Sequence, residues 1–280
     1  MEGVDPDRAG GVGLHWPHST TSAARLPISA GTARSAAIGP VTERFFAPVS
    51  RLATGHASRA TSNGLETWPK LRAMPDSPSP RLRPTPPTPA LVNEIVSRAL
   101  IEDLSGGDLT TDATVASELT GLGVAISKSP LLACGSTVAQ AVFAAVDPKL
   151  EFETLIPDGM WVPADRALWE VRGAARSILM AERTALNFVQ HLSGIATLAH
   201  RFMREIPVGS STRIADTRKT TPGLRALERY AVRAGGAHNH RDDVGSAILI
   251  KDNHIVASGG VAAAVLRARA RAPHTSKIEI

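Results

Sequence analysis

The sequence predicts an α/β protein: a mixed domain of helices and strands that opens near Thr88, then parallel β-α units, behind a leader without regular structure. Three observations predict it. Of the 20 prolines, 13 fall in residues 1–89, and no helical or alternating apolar period is sustained there. Beyond Thr88, helical and alternating patterns follow one another without a fixed rhythm. Beyond Arg176 the order becomes helix, strand, helix, strand, helix, strand at regular spacing, which is how crossover-connected parallel strands read.

The elements follow in order. Thr88 before Pro89 reads as an N-cap with proline in the first turn, and Leu91, Val92, Ile95, Val96, Ala99, Leu100 and Leu104 recur at three and four residues. Ser105-Gly106-Gly107 ends that helix, and Asp108 to Asp112 is a polar turn able to start another. Leu122 to Ser127 alternates as a strand. Ser136 to Val146 is an apolar helix capped by Ser136, and Leu150 to Ile156 and Leu168 to Val171 read as strands. Ile178 to Ile206 holds no proline and carries a helical period, as one helix or as two joined near Ser193-Gly194. A strand at Thr212 to Ala215, a helix at Pro222 to Ala234, a strand at Ala247 to Ile250, a helix at Gly260 to Ala272 and a strand from Lys277 to Ile280 complete the series.

Composition excludes several classes. A single cysteine, Cys134, allows neither an internal disulfide nor a thiolate zinc site, and with no paired base it reads as packing. No run approaches the roughly 18 apolar residues of a membrane span, and no apolar signal core opens the chain, so a cytoplasmic protein is expected. The pI near 9.9 suggests nucleic acid. Residues 1–89, however, hold 10 Lys/Arg against 6 Asp/Glu, while the rest hold 21 against 20. The excess belongs to the leader, where aromatics and charge clusters are not interleaved, so no nucleic-acid or membrane partner is expected; an RNA- or lipid-binding tail is the alternative.

The polar residues gather where parallel strands end, which is where α/β folds place reacting groups. One strand ends in Asp216-Thr217-Arg218-Lys219-Thr220-Thr221, another in Lys251-Asp252-Asn253-His254, and the loop entering the second contains His238-Asn239-His240-Arg241. Arg218, Lys219, His240, Arg241 and Lys251 at one mouth would repel one another unless an anion sat among them. Plainer readings stand beside this one: a solvated loop for Arg218-Lys219, a helix C-cap for Gly235-Gly236, a wet helix face for Arg183, Asn187, Gln190 and Gly194, and metal ligation for His238 and His240.

Four blocks carry a resemblance. Glu182-Arg183-Thr184-Ala185-Leu186-Asn187 with Gln190 to Thr197, Asp216 to Arg225, Asn239-His240-Arg241, and Leu249 to His254 resemble quinolinate phosphoribosyltransferase. The likeness runs from about Thr88 to Ile280, including Glu102-Asp103-Leu104 and Gly107 to Thr111. It leaves outside the family residues 1–87, the leader whose composition predicts disorder, and implies an N-terminal α/β sandwich over 88–194 and the first half of a six-stranded parallel α/β barrel over 195–280. It further implies a homodimer, and a magnesium-dependent reaction joining quinolinate to phosphoribosyl pyrophosphate to give nicotinate mononucleotide, pyrophosphate and carbon dioxide in NAD biosynthesis. Arg183 would reach the quinolinate of a partner subunit; Arg218, Lys219, His240, Arg241 and Lys251 would line the pocket, with Lys219 and Lys251 as the catalytic cations. The family pattern continues beyond Ile280: Glu279 aligns with the first glutamate of a Glu-x-Glu strand, and the second, with the carboxylates expected at magnesium, would follow. A truncated chain or fragment is therefore expected, with no metal ligands of its own. The alternatives are a related enzyme for another aromatic carboxylate and a non-catalytic remnant that binds quinolinate or pairs with a longer homologue.

Overall fold

The structure, a computed structural model, describes the backbone of Thr42–Phe45 and all of residues 84–280. The expected unstructured leader, 1–87, thus lies largely outside the described residues. Of the part that is described, residues 84–87 carry no regular structure and Thr42–Phe45 forms strand β1, antiparallel to the strand at Thr120–Ile126. Edge pairing needs only backbone donors and acceptors, which an aperiodic stretch supplies as well as an apolar one.

Helix α1 (Pro89–Leu104) buries Val92, Ile95 and Val96 and leaves Leu91 and Ile101 exposed. Thr88 holds the N-cap position without a side-chain bond. The polar turn does start a helix, α2 (Leu109–Thr114), because the Asp108 carboxylate accepts the Thr111 N–H at 2.9 Å. Strand β2 (Thr120–Ile126) follows, then a two-residue strand β3 (Leu131–Leu132), helix α3 (Ser136–Val146), β4 (Glu151–Thr154), β5 (Trp161–Val162) and β6 (Ala167–Ala174). Strands β1-β2-β6-β4 make one antiparallel sheet, and β3 pairs with β5. Beneath the sheet Phe143, Phe152 and Trp169 stack, with Phe143 edge-on to Trp169 at 5.3 Å.

The Ser136 cap is a correction. Gly135, at φ 105°, occupies the N-cap, and the capping oxygens come from Asp158. One carboxylate oxygen accepts the Gly135 N–H at 3.0 Å; the other accepts the Ser136 N–H at 3.0 Å and its hydroxyl at 2.7 Å. A full charge from across the fold outcompetes a local hydroxyl at the positive end of a helix.

Strand β6 runs straight into α4 (Ala175–Arg204), a single 30-residue helix that packs on α1, α3 and the sheet. Ser193-Gly194 does not interrupt it. The Ser193 hydroxyl accepts the Cys134 N–H and donates to its carbonyl, both at 3.0 Å, while Thr197 Oγ1 accepts the Leu132 N–H at 2.9 Å. The hydroxyls thus serve β3 as a missing neighbour strand would, and the helix stays whole.

After α4 come α5 (Arg225–Ala234), β7 (Ile248–Leu249), α6 (Asp252–Ser258), α7 (Val261–Arg271) and β8 (Ile278–Glu279). Strands β7 and β8 are parallel, Ile248 facing Ile278. Helix α5 starts three residues later than Pro222, after a turn closed by the Leu224 N–H on the Thr221 carbonyl. The strand expected at Thr212 to Ala215 is reduced to one parallel bridge, Ala215 with His238, since a strand needs a neighbour along its length and only His238 lies alongside. Gly235 closes α5 against α4: a Cβ there would lie 2.5 Å from the Ala196 carbonyl oxygen. The expected helix C-cap is found, with Gly236 next at φ 90°.

Candidate functional site

Helix α5 organises the region through three consecutive buried polar side chains, Glu228, Arg229 and Tyr230. Groups like these are buried only when paired. The Glu228 carboxylate accepts the Thr221 N–H at 3.2 Å and meets His191 Nε2 of α4 at 2.9 Å. Burial alone would raise its pKa, but the Thr221 and His191 hydrogen bonds outweigh burial and hold it below the usual carboxylate range. Arg229 donates to the carbonyls of His240 and Arg241, and the Tyr230 hydroxyl donates to Asp158 at 2.8 Å. Burial, then Asp158, raise the tyrosine far above its ordinary value.

Two loops are thereby set. Residues 217–221 hang from Glu228, and 239–242 hang from Arg229 and Asp216. The Asp216 carboxylate accepts the His240 N–H and the Asn239 amide, each at 2.7 Å.

Between these loops and β7 lies a cavity of about 460 Å³. Arg218, Arg241 and Lys251 line it together with His254, over the apolar residues of β7, and no carboxylate is among the lining residues. Arg241 donates to the Ala247 carbonyl at 2.8 Å. The Arg218 Nε is buried with no hydrogen-bond partner among the described residues. Three cations on one cavity, one of them with a buried donor lacking a partner among the described residues, suit an anion with more than one charge.

Three of the six residues expected at the site therefore converge. His240 stands beside the cavity without lining it, its Nε2 2.9 Å from Glu279 of β8. Lys219 is exposed and not among the lining residues, with its backbone N–H on Thr217 Oγ1 at 3.2 Å. Arg183 lies on the exposed face of α4, apart from the cavity. Asn187, on the same stripe, borders a separate hollow of about 210 Å³ with Glu102, Asp103, Thr184 and His191. Sequence reasoning read Lys251 to His254 as a strand-end loop. It is the first turn of α6, where His254 Nδ1 accepts the Lys251 N–H at 2.9 Å. That bond brings His254 to the cavity wall; its i, i+3 spacing from Lys251 was the available signal. Arg229 was not singled out at all, because a charged residue in a helical stretch carries no mark of burial.

Among the described residues, no three His, Cys, Asp or Glu side chains gather as a metal ion would require. No helix among them is long and apolar enough to cross a membrane.

Comparison with known proteins gives the following. Residues 108–193 match the family model described as quinolinate phosphoribosyl transferase, N-terminal domain, and residues 195–280 match the C-terminal domain of the same family. A nicotinate-nucleotide pyrophosphorylase [carboxylating] of Mycobacterium leprae is 43% identical over 183 residues, 64% of this chain and 64% of that protein. A probable enzyme of the same name from Synechocystis is 38% identical over 190 residues, 68% of this chain and 64% of that protein. The chain thus spans about 64% of the length of these relatives. The crystal structure of NadC from Streptococcus pyogenes superposes with a TM-score of 0.66 at 38% identity, covering 69% of this chain and 68% of that one.

Proposed function

The chain belongs to the quinolinate phosphoribosyltransferase family, and on that footing we propose that its cationic cavity binds quinolinate for phosphoribosyl transfer. The reaction joins quinolinate to phosphoribosyl pyrophosphate and releases nicotinate mononucleotide, pyrophosphate and carbon dioxide, in the cytoplasm, as a step of NAD biosynthesis. The observation that carries this reading is the convergence of Arg218, Arg241 and Lys251 on one cavity without a lining carboxylate.

The chemistry suits those side chains. Quinolinate is a pyridine with two adjacent carboxylates, so two guanidinium forks suit its two anionic groups while Lys251 adds a movable point charge. Held in that way, the ring nitrogen is aimed at the ribose C1 for a near-attack approach. Departure of pyrophosphate leaves oxocarbenium-like charge on the sugar and negative charge on the leaving group, and Lys219 and Lys251 are the cations assigned to the latter. Once the nitrogen is quaternised, the ring accepts the electron pair left when the adjacent carboxylate departs as carbon dioxide, and a proton then takes its place. The family works with magnesium. That ion is ordinarily held by one or two carboxylates together with substrate phosphates, and no step here is routed through it.

The finer architecture belongs to the same proposal: a leader over 1–87, a sandwich over 88–194, and β-α units of a six-stranded barrel over 195–280. The exposed position of Arg183 on α4 supports a homodimer in which it reaches a partner's ligand.

The test is calorimetric titration of the purified chain with quinolinate and, separately, with phosphoribosyl pyrophosphate, followed by quinolinate-dependent pyrophosphate release. Arg218→Ala is expected to cost about 2 kcal/mol or more of quinolinate affinity, over tenfold. Unchanged affinity overturns the site. Release driven by another ring acid redirects the substrate, and binding without release makes the chain a binding protein.

A further inference from the structure

Arg229 binds nothing in the reading above, yet its whole side chain is committed to the loop that carries Arg241. Its side chain is only 8% exposed. Nη1 donates to the Arg241 carbonyl and Nη2 to the His240 carbonyl, both at 2.9 Å. Nη1 lies 3.5 Å from the Asp216 carboxylate and Nη2 2.5 Å from that of Asp242. Asp216, itself 7% exposed, holds the His240 N–H and the Asn239 amide from the other side. The segment 239–242 is therefore clamped from behind by a buried ion pair, while the Arg241 side chain turns to the cavity.

Arg218 sits on a different loop, the one Glu228 holds through the Thr221 N–H. The distance between the two guanidinium groups of the cavity is thus set by two anchors on one helix. An acid with a single carboxylate needs one fork wherever it stands. An acid with two adjacent carboxylates needs both forks at one fixed separation, so loosening either loop penalises the second ligand more than the first.

We propose that Arg229 is a positioning residue that fixes Arg241 relative to Arg218 and Lys251, and thereby makes the cavity select an aromatic acid with two adjacent carboxylates over one with a single carboxylate. The inference rests on the quinolinate reading. A purely structural role predicts a different result, equal weakening of both ligands together with a lower melting temperature.

The experiment compares the full chain with Arg229→Met and Arg229→Lys. Calorimetry measures quinolinate and nicotinate binding, thermal unfolding measures the fold, and hydrogen exchange reads the amides of 239–242. Arg229→Met is expected to lose quinolinate affinity by on the order of tenfold to a hundredfold. Nicotinate affinity should move by less than about threefold, and exchange should quicken at the His240 amide. Arg229→Lys should recover part of the loss, since an ammonium can still reach one of the two carbonyls. If the methionine variant does not fold, the lysine variant carries the same comparison with a smaller ratio. Equal losses for the two acids, or quinolinate binding at the unmutated level, overturn the proposal. An unmutated chain that binds no quinolinate removes the functional reading and this inference with it, whereas normal binding beside an unselective variant removes this inference alone.

Discussion

Replacing Asp158 by alanine tests how the two halves of the chain are held together. The carboxylate accepts four hydrogen bonds: the N–H groups of Gly135 and Ser136, the Ser136 hydroxyl and the Tyr230 hydroxyl. Loss of the N-terminal cap of α3 costs about 1 kcal/mol. The Tyr230 hydroxyl, in a residue 4% exposed, is then left without an acceptor, at about 1–3 kcal/mol. The Ser136 hydroxyl can turn to water and adds little. Asp158 is itself only half-buried, which lets water recover part of the loss. The net expectation is about 2 kcal/mol of destabilisation. Urea unfolding followed by tryptophan fluorescence reads it, since Trp169 is buried in the first half and Trp161 packs on His200 of α4. Tyr230→Phe alone should cost about 1 kcal/mol, and the double variant should cost less than the two singly added, by roughly 0.5–1.5 kcal/mol. A shift for Asp158→Ala within about 0.5 kcal/mol, or additive singles, refutes the reasoning.

Two further outcomes follow from buried groups. Glu228 has its carboxyl pKa depressed in the folded state, so the stability it contributes is complete above its ordinary value of 4.5 and is lost as pH falls through the lower folded value; Glu228→Gln should flatten the acid limb of the stability curve, and an unchanged limb would dismiss the Thr221 and His191 bonds as its cause. Cys134 is 1% exposed, and burial, then Asp158, push its thiol well up; it should resist a thiol-specific reagent at neutral pH until the chain unfolds, and rapid labelling of the native protein would contradict its placement.

Periodicity located the long elements because each buries one stripe: α1 begins at Pro89, and α4 covers the predicted 178–206 nearly end to end. Strands β3 and β5, two residues each, are too short to show a period; they pair with each other, and the Thr197 and Ser193 hydroxyls serve Leu132 of β3 and Cys134 just beyond it. At the site, charge at strand ends was enough to single out Arg218, Arg241 and Lys251. Nothing local distinguishes Arg229 or Glu228 from solvated helix residues, since their burial depends on which face of α5 meets α4 and the two loops. The capping of α3 was misread for the same reason: Asp158 is 22 residues from Ser136 in the chain and adjacent to it only in the fold.

The unbroken passage from β6 into α4 gives the molecule a shared phase. The helix is about 45 Å long and rises with 3.6 residues per turn, so one inserted residue would rotate everything beyond it by about 100°. The hydroxyls that serve β3, the platform under Gly235 and the imidazole that meets Glu228 would then all face elsewhere. Changes in length during descent are accordingly expected in the exposed turns at 207–211 and 242–246, while 175–204 keeps its residue count.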